Sequence, residues 1–118
     1  MKHTRVFELV INAVQFASGL DDLKAKTRRR EYVDARRIAY YILRNVHGFS
    51  FQTIANEFNK NHASVIHGIK DFKFLLKSDR ILNEIYNKSC SRIAKGDIRK
   101  EQIIQEIQDL QAEFLTLI

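Results

Sequence analysis

The chain has 118 residues, with 20 lysines and arginines against 14 acidic residues, a net charge of +6, 45% hydrophobic residues and no proline. This length suits one domain with its own core, and the periodic apolar residues without proline predict a soluble all-α protein. No apolar run approaches the roughly 18 residues that a membrane helix needs. The N-terminus lacks a signal-peptide pattern. A single cysteine, Cys90, excludes a disulfide framework within one chain, so we expect a reducing, cytoplasmic setting.

The positive charge is concentrated in the central part of the chain. Residues 24–80 contain thirteen basic and five acidic residues, a net charge of +8. Residues 1–23 carry −1, residues 81–95 carry +2 and residues 96–118 carry −3. A positive field of this kind attracts phosphate and accelerates encounter with nucleic acid. Basic domains are common, so charge alone leaves that function open.

The periodicity of apolar residues predicts a bundle of about six helices. They cover residues 4–17, 30–46, 50–58, 61–76, 79–95 and 98–118, with a short helical turn near residues 21–23. Gly19, Gly48 and Gly96 mark predicted helix ends.

A basic run, residues 24–30, follows the first helix. Its arginines are Arg28, Arg29 and Arg30. The run is either a solvated connector or an arm that contacts phosphates or enters a minor groove.

The helix over residues 30–46 places three arginines largely outside its apolar stripe. They are Arg36, Arg37 and Arg44. Tyr40 and Tyr41 are adjacent, so we expect one in the core and the other outside it, with its hydroxyl available to a phosphate.

The stretch from Ser50 to Leu76 has the layout of a helix-turn-helix DNA-binding unit, two amphipathic helices joined by a short polar turn. Ser50 and Asn61 lie at N-cap positions. Gly68 predicts a close approach to the preceding helix. The polar residues available at the turn and along the second helix are Lys60, Asn61, His62, Ala63, Ser64 and Lys70. Small, hydrogen-bonding and cationic groups at a helix N-terminus suit a major groove.

The last predicted helix repeats apolar residues with alternating four and three spacing. They are Ile103, Ile107, Leu110, Phe114 and Leu117. This stripe is too wide to remain in water, so either the chain's own domain or a second copy covers it.

From about residue 5 to residue 93 the chain resembles the C-terminal DNA-binding domain of DnaA, the bacterial replication initiator. The resemblance lies in residues 26–30, 33–44, 50–54 and 58–68, and it ends in the family's His-x-x-Val-x-His unit, here His62 to His67. It implies a Trp-repressor-like helical domain that recognises a short asymmetric DNA site as a monomer.

The resemblance also implies roles for individual residues. His62, Ala63 and Ser64 lie where the family contacts bases in the major groove, and Arg36 lies at another base-contacting position. Arg28 lies in the loop that supplies a minor-groove arginine, and Arg44 and Ser50 lie at phosphate-contacting positions. The turn is one residue shorter than the family's usual one, and Ala63 and Ser64 replace two threonines, so a target other than the standard DnaA box is expected.

Other chemistry has little support in the sequence. No Gly-x-x-x-x-Gly-Lys-Ser/Thr segment is present for an ATPase. His62 and His67 are five residues apart, on different helix faces, without a carboxylate or cysteine at a ligand-like spacing. We expect His62 to donate to DNA and His67 to be a hydrogen-bonded core residue. No catalytic site, metal or cofactor is predicted.

The sequence therefore predicts a sequence-specific double-stranded DNA-binding protein of the bacterial nucleoid, acting in replication initiation, its regulation or transcription control. The domain covers residues 1–95, and residues 96–118 form an added helix. The alternative is an interaction module in which residues 97–118 bind a replication protein or a second copy. Membrane binding is disfavoured because the basic stretch lacks large exposed aromatic residues.

Overall fold

A computed structural model describes the backbone of residues 2–116, with the side chains of residues 5–96 and 107–112. Over these residues the chain forms five helices. They are α1 (Lys2–Ser18), α2 (Arg30–Asn45), α3 (Phe51–Phe58), α4 (His62–Ser78) and α5 (Arg80–Thr116). The predicted all-α fold with a helix-turn-helix is confirmed.

Two helix predictions differ from the structure. Residues 20–29 form a loop of turns and bends, without the predicted turn of helix near residues 21–23. The helix end predicted at Gly96 is absent, because α5 continues unbroken to Thr116. Gly96 faces α1, where an added Cβ would lie 3.4 Å from Leu9 Cδ1. A glycine inside a helix costs about 1 kcal/mol relative to alanine and does not by itself end the helix.

Helix α2 lies at the centre of the bundle and contacts each of the other four helices. Tyr40 packs edge-on against Phe58 of α3, with ring centroids 4.9 Å apart. Tyr41 packs against Phe72 of α4 at 5.2 Å and Tyr86 of α5 at 5.5 Å. Tyr40 is buried in the core, as expected for one of the two tyrosines, whereas Tyr41 is partly buried against it, because α2 has packing partners on more than one side.

The two helices of the helix-turn-helix begin at side-chain caps, as predicted. Ser50 Oγ accepts a hydrogen bond from the backbone N–H of Thr53 at 3.1 Å. Asn61 Oδ1 accepts one from the N–H of Ser64 at 2.7 Å. Between them Asn59 adopts a left-handed conformation with φ of 53°. These local bonds fix the start of α4 beside the end of α3.

Gly68 of α4 allows a close approach, although to α2 rather than to α3. An added Cβ would lie 3.3 Å from both Arg37 Cγ and Tyr40 Cδ2. A side chain at this position would push α4 away from the central helix.

Helices α1 and α5 run antiparallel along one edge of the bundle. The Arg92 guanidinium lies 3.7 Å from the ring centroid of Phe16, whereas Gly96 meets Leu9, earlier in α1. The face of α5 that packs on the body contains Leu82 and Ile93. Ile81, next to Leu82 in the chain, is exposed.

Candidate nucleic-acid interface

The start of α4 forms an exposed tip of the molecule. His62, Ala63 and Ser64 are all exposed, whereas Val65, next in the chain, is fully buried. The first backbone N–H groups of a helix have no partner within it, and together with the helix dipole they favour an anion. This tip therefore combines an imidazole, a methyl group and a hydroxyl with a local field that attracts phosphate.

Ring stacking connects His62 to the preceding helices. Its ring lies edge-on to Phe51 of α3, with centroids 5.9 Å apart. The guanidinium of Arg44 lies over the Phe51 ring, 4.5 Å from its centroid. Arg44 also donates a hydrogen bond to the carbonyl of Phe49 at 3.0 Å. The predicted contact residues Arg44 and His62 are thus held together through Phe51, with Ser50 exposed beside them.

The loop before α2 reaches the same end of the helix-turn-helix. Lys24 Nζ lies 2.6 Å from Glu57 Oε1, near the end of α3. Lys60 and Asn61, in the turn that follows α3, are exposed. This ion pair therefore brings the basic loop close to the turn that precedes His62.

Arg36 does not occupy the predicted base-contacting position. It is 5% exposed, and its guanidinium donates to three carbonyls of the loop. The bonds are Nε to Leu23 at 2.6 Å, Nη1 to Thr27 at 2.9 Å and Nη2 to Ala25 at 2.5 Å. The prediction was wrong because α2 turns this arginine toward a loop whose carbonyls lack helical partners, and the planar guanidinium can serve several of them at once.

Arg37 is also engaged within the protein. Its guanidinium lies 3.5 Å from Asp34 and 3.3 Å from Asp71 of α4. Its stem packs over Gly68. Arg37 was predicted to contact DNA; in the structure its two carboxylate partners connect α2 to α4.

The remaining loop arginines are exposed. Arg29 pairs with Glu31 at 3.0 Å, and Arg30 lies 3.5 Å from Asp34. Arg28 has no ion pair with any of the described residues. Since exposed pairs of this kind are weak and easily exchanged, all three arginines remain accessible to phosphate.

His67 was predicted to be a core residue and is instead exposed on α4. It lies three residues after Ser64 and three before Lys70, which is also exposed, so the three share one helix face. The prediction failed because the neighbouring Ile66 is only partly buried and the buried stripe passes through Val65 and Ile69. The i, i+3 spacing from Ser64 was the sequence signal that pointed to this outer face.

Features of other functional classes are weak in the described part of the chain. Burial raises the pKa of the Cys90 thiol above its ordinary value, the opposite of what a nucleophilic thiolate requires. Among the described residues no cluster of histidine, cysteine and acidic side chains has the arrangement of a metal site. None of the described helices has the length and apolar content to cross a bilayer.

The predicted C-terminal stripe is only partly described. Ile107 and Leu110 are 51% and 65% exposed, so neither packs fully on the body. The side chains of Ile103, Phe114 and Leu117 lie outside the described residues.

Comparison with known proteins agrees with this geometry. The family model described as the bacterial DnaA protein helix-turn-helix matches residues 5–71. The chain is 35% identical over 86 residues to the chromosomal replication initiator protein DnaA of a Nostoc species, which covers 72% of this chain and 19% of that protein. It is 40% identical over 76 residues to DnaA of Campylobacter concisus, covering 60% of this chain and 17% of the relative.

The chain therefore spans about a fifth of the length of the curated relatives that it matches. No solved structure matches it significantly. The matched region contains α2, α3 and the start of α4, the elements that form the exposed tip at His62 and hold Arg44 beside it. By this match over more than half of its length, the chain belongs to the family of the bacterial DnaA helix-turn-helix domain.

Proposed function

We propose that this protein binds double-stranded DNA sequence-specifically and acts in the initiation of replication or in its regulation. The observation that carries this proposal is the exposed start of α4, where the rings of His62 and Phe51 meet edge-on and the Arg44 guanidinium lies over Phe51, in a helix-turn-helix of the DnaA family. The charge of +8 over residues 24–80 supports the same function.

In the proposed complex, the start of α4 enters a major groove. The imidazole of His62 and the hydroxyl of Ser64 face base edges, and the methyl group of Ala63 faces the methyl group of a thymine. His67 lies one turn after Ser64 on the same face of α4 and extends the contact. The sequence preference therefore depends on residues that differ from the family's usual threonines.

Phosphate contacts flank the base contacts on either side. Arg44 and Ser50 lie near His62, with Phe51 between Arg44 and His62. Lys60 and Asn61 belong to the turn, and Lys70 lies on the exposed face of α4. Arg28, with Arg29 and Arg30 beside it, reaches the adjacent minor groove from the loop. Arg36 and Arg37 do not contact DNA; Arg36 holds the loop in position, and Arg37 connects α2 to α4.

Titration of a labelled duplex with the full chain at a series of salt concentrations tests the binding mode. If about six phosphates are neutralised, the slope of log K against log salt is about −5. A slope near zero would contradict the proposal. Selection of bound sites from random duplex DNA then identifies the target, and recovery of no common sequence would contradict sequence-specific binding.

A matched control uses a cation far from the proposed interface. Lys88 is exposed on α5, and α3 makes no contact with α5. Lys88→Ala is therefore expected to leave duplex affinity and the salt slope nearly unchanged, whereas Arg44→Ala lowers both.

A second candidate function is an interaction module in which the C-terminal helix binds a replication protein or another copy of the chain. The exposed Ile107 and Leu110 favour this role. On this proposal, residues 1–95 are the DNA-binding domain and residues 96–118 the assembly element. Ile107→Gln with Leu110→Gln in the full chain is expected to abolish association and to retain binding to a single duplex site, whereas loss of folding would assign the two residues to the core.

A further inference from the structure

The face of α5 that packs on the body continues past the point where the body ends. Steps of four and three residues from Leu82 pass through Tyr86, Ser89, Ile93 and Gly96, all buried or partly buried. The same steps later reach Ile107 and Leu110, which are largely exposed.

Gly96 is the last described residue of α5 with a contact on the body, and it lies opposite Leu9 of α1. The helix continues to Thr116, and in this part the side chains of Ile107 and Leu110 are not covered by the described residues of the body.

A second stripe of α5 carries opposite charges in its two halves. Lys88, Arg92 and Lys95 share an exposed stripe with spacing four and three. The same spacing continued through the sequence gives Arg99, Gln102, Glu106, Asp109 and Glu113. Over whole segments, residues 80–100 carry six basic and two acidic residues, and residues 101–116 carry four acidic and no basic residues.

The basic half of this stripe borders an open groove that also contains an exposed aromatic ring. Phe16, 68% exposed, lies in this groove between α1 and α5, together with Lys88, Arg92 and Lys95. The groove therefore offers cations around an apolar centre. In sequence, residues 101–116 offer the complement, since they carry four acidic and no basic residues, and the described Ile107 and Leu110 among them are exposed.

From this complementarity we propose that two copies of the chain associate through antiparallel α5 helices. The C-terminal half of each α5 occupies the α1–α5 groove of the other copy. The register that places Leu110 of one copy against the Phe16–Arg92 contact of the other sets the acidic segment 106–113 alongside the basic segment 92–99, and the two-fold axis repeats this arrangement. The two helices then overlap over residues 92–113, about 33 Å.

The charges set the orientation of this pair, and the apolar contacts supply most of its affinity. Single exposed ion pairs contribute little, but complementary charge patterns select register and exclude other arrangements. A parallel pair would place basic half on basic half and acidic half on acidic half. In the antiparallel pair, Leu110 of one copy meets the exposed Phe16 of the other.

Sedimentation velocity of the full chain over low to high micromolar concentrations tests the association. We expect a concentration-dependent dimer. Reversal of one half of the stripe, by Arg92→Glu, Lys95→Glu and Arg99→Glu or by Glu106→Lys, Asp109→Lys and Glu113→Lys, is expected to raise the dimer dissociation constant by about tenfold or more. Both reversals in one chain restore the complementary pattern and the dimer.

A control variant carries the same change in net charge away from the stripe. Lys73→Glu, Lys77→Glu and Arg80→Glu alter exposed cations of α4 and the start of α5. This variant is expected to retain the wild-type dimer. Equal weakening by the control, or no restoration by the combined reversal, would overturn the proposal, as would a chain that remains monomeric.

Cross-linking determines the orientation. In a Cys90→Ser background, one chain carries Ser91→Cys and another carries Ala112→Cys, both at exposed positions. A bis-maleimide linker is expected to join the two chains in a mixture and to join neither chain to itself. Self-linking of each chain alone would indicate a parallel pair and overturn the antiparallel arrangement.

Discussion

Two groups of cations lie close together in the sequence and have opposite surroundings. Arg36 and Arg37 are directed into the molecule, where loop carbonyls and the carboxylates of Asp34 and Asp71 surround them. Arg44, eight residues after Arg36, lies on Phe51 beside the exposed His62. Each of these three arginines adds one unit to the net charge of the chain.

This difference separates arginines that stabilise the protein conformation, Arg36 and Arg37, from an arginine that is available to a ligand, Arg44. A buried guanidinium whose three nitrogens all donate to loop carbonyls is engaged within the protein, so it contributes to the loop's conformation rather than to phosphate contact. A half-exposed guanidinium stacked on a ring retains donors for a ligand. Four substitutions measure how sharp this division is.

The largest effect is expected for Arg36→Ala. It removes a buried guanidinium and leaves three loop carbonyls without their hydrogen-bond donor. We therefore expect the free energy of unfolding to fall by about 2–4 kcal/mol. Urea denaturation provides the measurement. Arg36→Lys, which retains the charge but not the planar set of donors, should lose part of that stability. Unchanged unfolding for both variants would contradict the role of Arg36 in holding the loop.

His62→Ala is expected to have the next largest effect. If the imidazole contacts a base, binding to the selected site weakens by about 1–3 kcal/mol, whereas binding to random DNA changes little, because base contacts provide specificity. Fluorescence anisotropy with both duplexes measures the two losses. Equal losses for the two duplexes would assign His62 to the DNA backbone.

Arg44→Ala is expected to weaken binding to the selected site and to random DNA alike. Loss of one phosphate contact reduces the magnitude of the salt slope by about 0.9. Anisotropy titrations at several salt concentrations measure it. A loss confined to the selected site would instead indicate a base contact.

The smallest effect on binding is expected for Arg37→Ala. Its ion pairs are within the protein and partly exposed, so the free energy of unfolding falls by about 1 kcal/mol or less. Duplex affinity should remain within about twofold of the wild type, since a change below about 0.4 kcal/mol corresponds to such a ratio. A loss of duplex affinity as large as that of Arg44→Ala would indicate that Arg37 contacts DNA.

The two halves of α5 show a similar contrast, in this case between buried and exposed apolar residues. Leu82 and Ile93 are buried against the body, whereas Ile107 and Leu110 continue the same spacing in solvent. The heptad spacing of residues 103–117 predicted a covered face there without deciding what covers it. Ile107 and Leu110 are not covered by the described residues of this chain.

Much of this protein followed from its sequence alone. Helix periodicity, the caps at Ser50 and Asn61, and the resemblance over residues 26–68 were sufficient for the fold class, the helix-turn-helix and the exposed start of α4, because these features depend on local hydrogen bonding and on side-chain spacing. The tertiary structure decided the inward direction of Arg36 and Arg37, the packing of both Tyr40 and Tyr41 against neighbouring helices, and the exposure of His67. It also decided that α5 continues through Gly96. Each of these depends on which element packs opposite a residue, and helical spacing within one segment does not specify its partner.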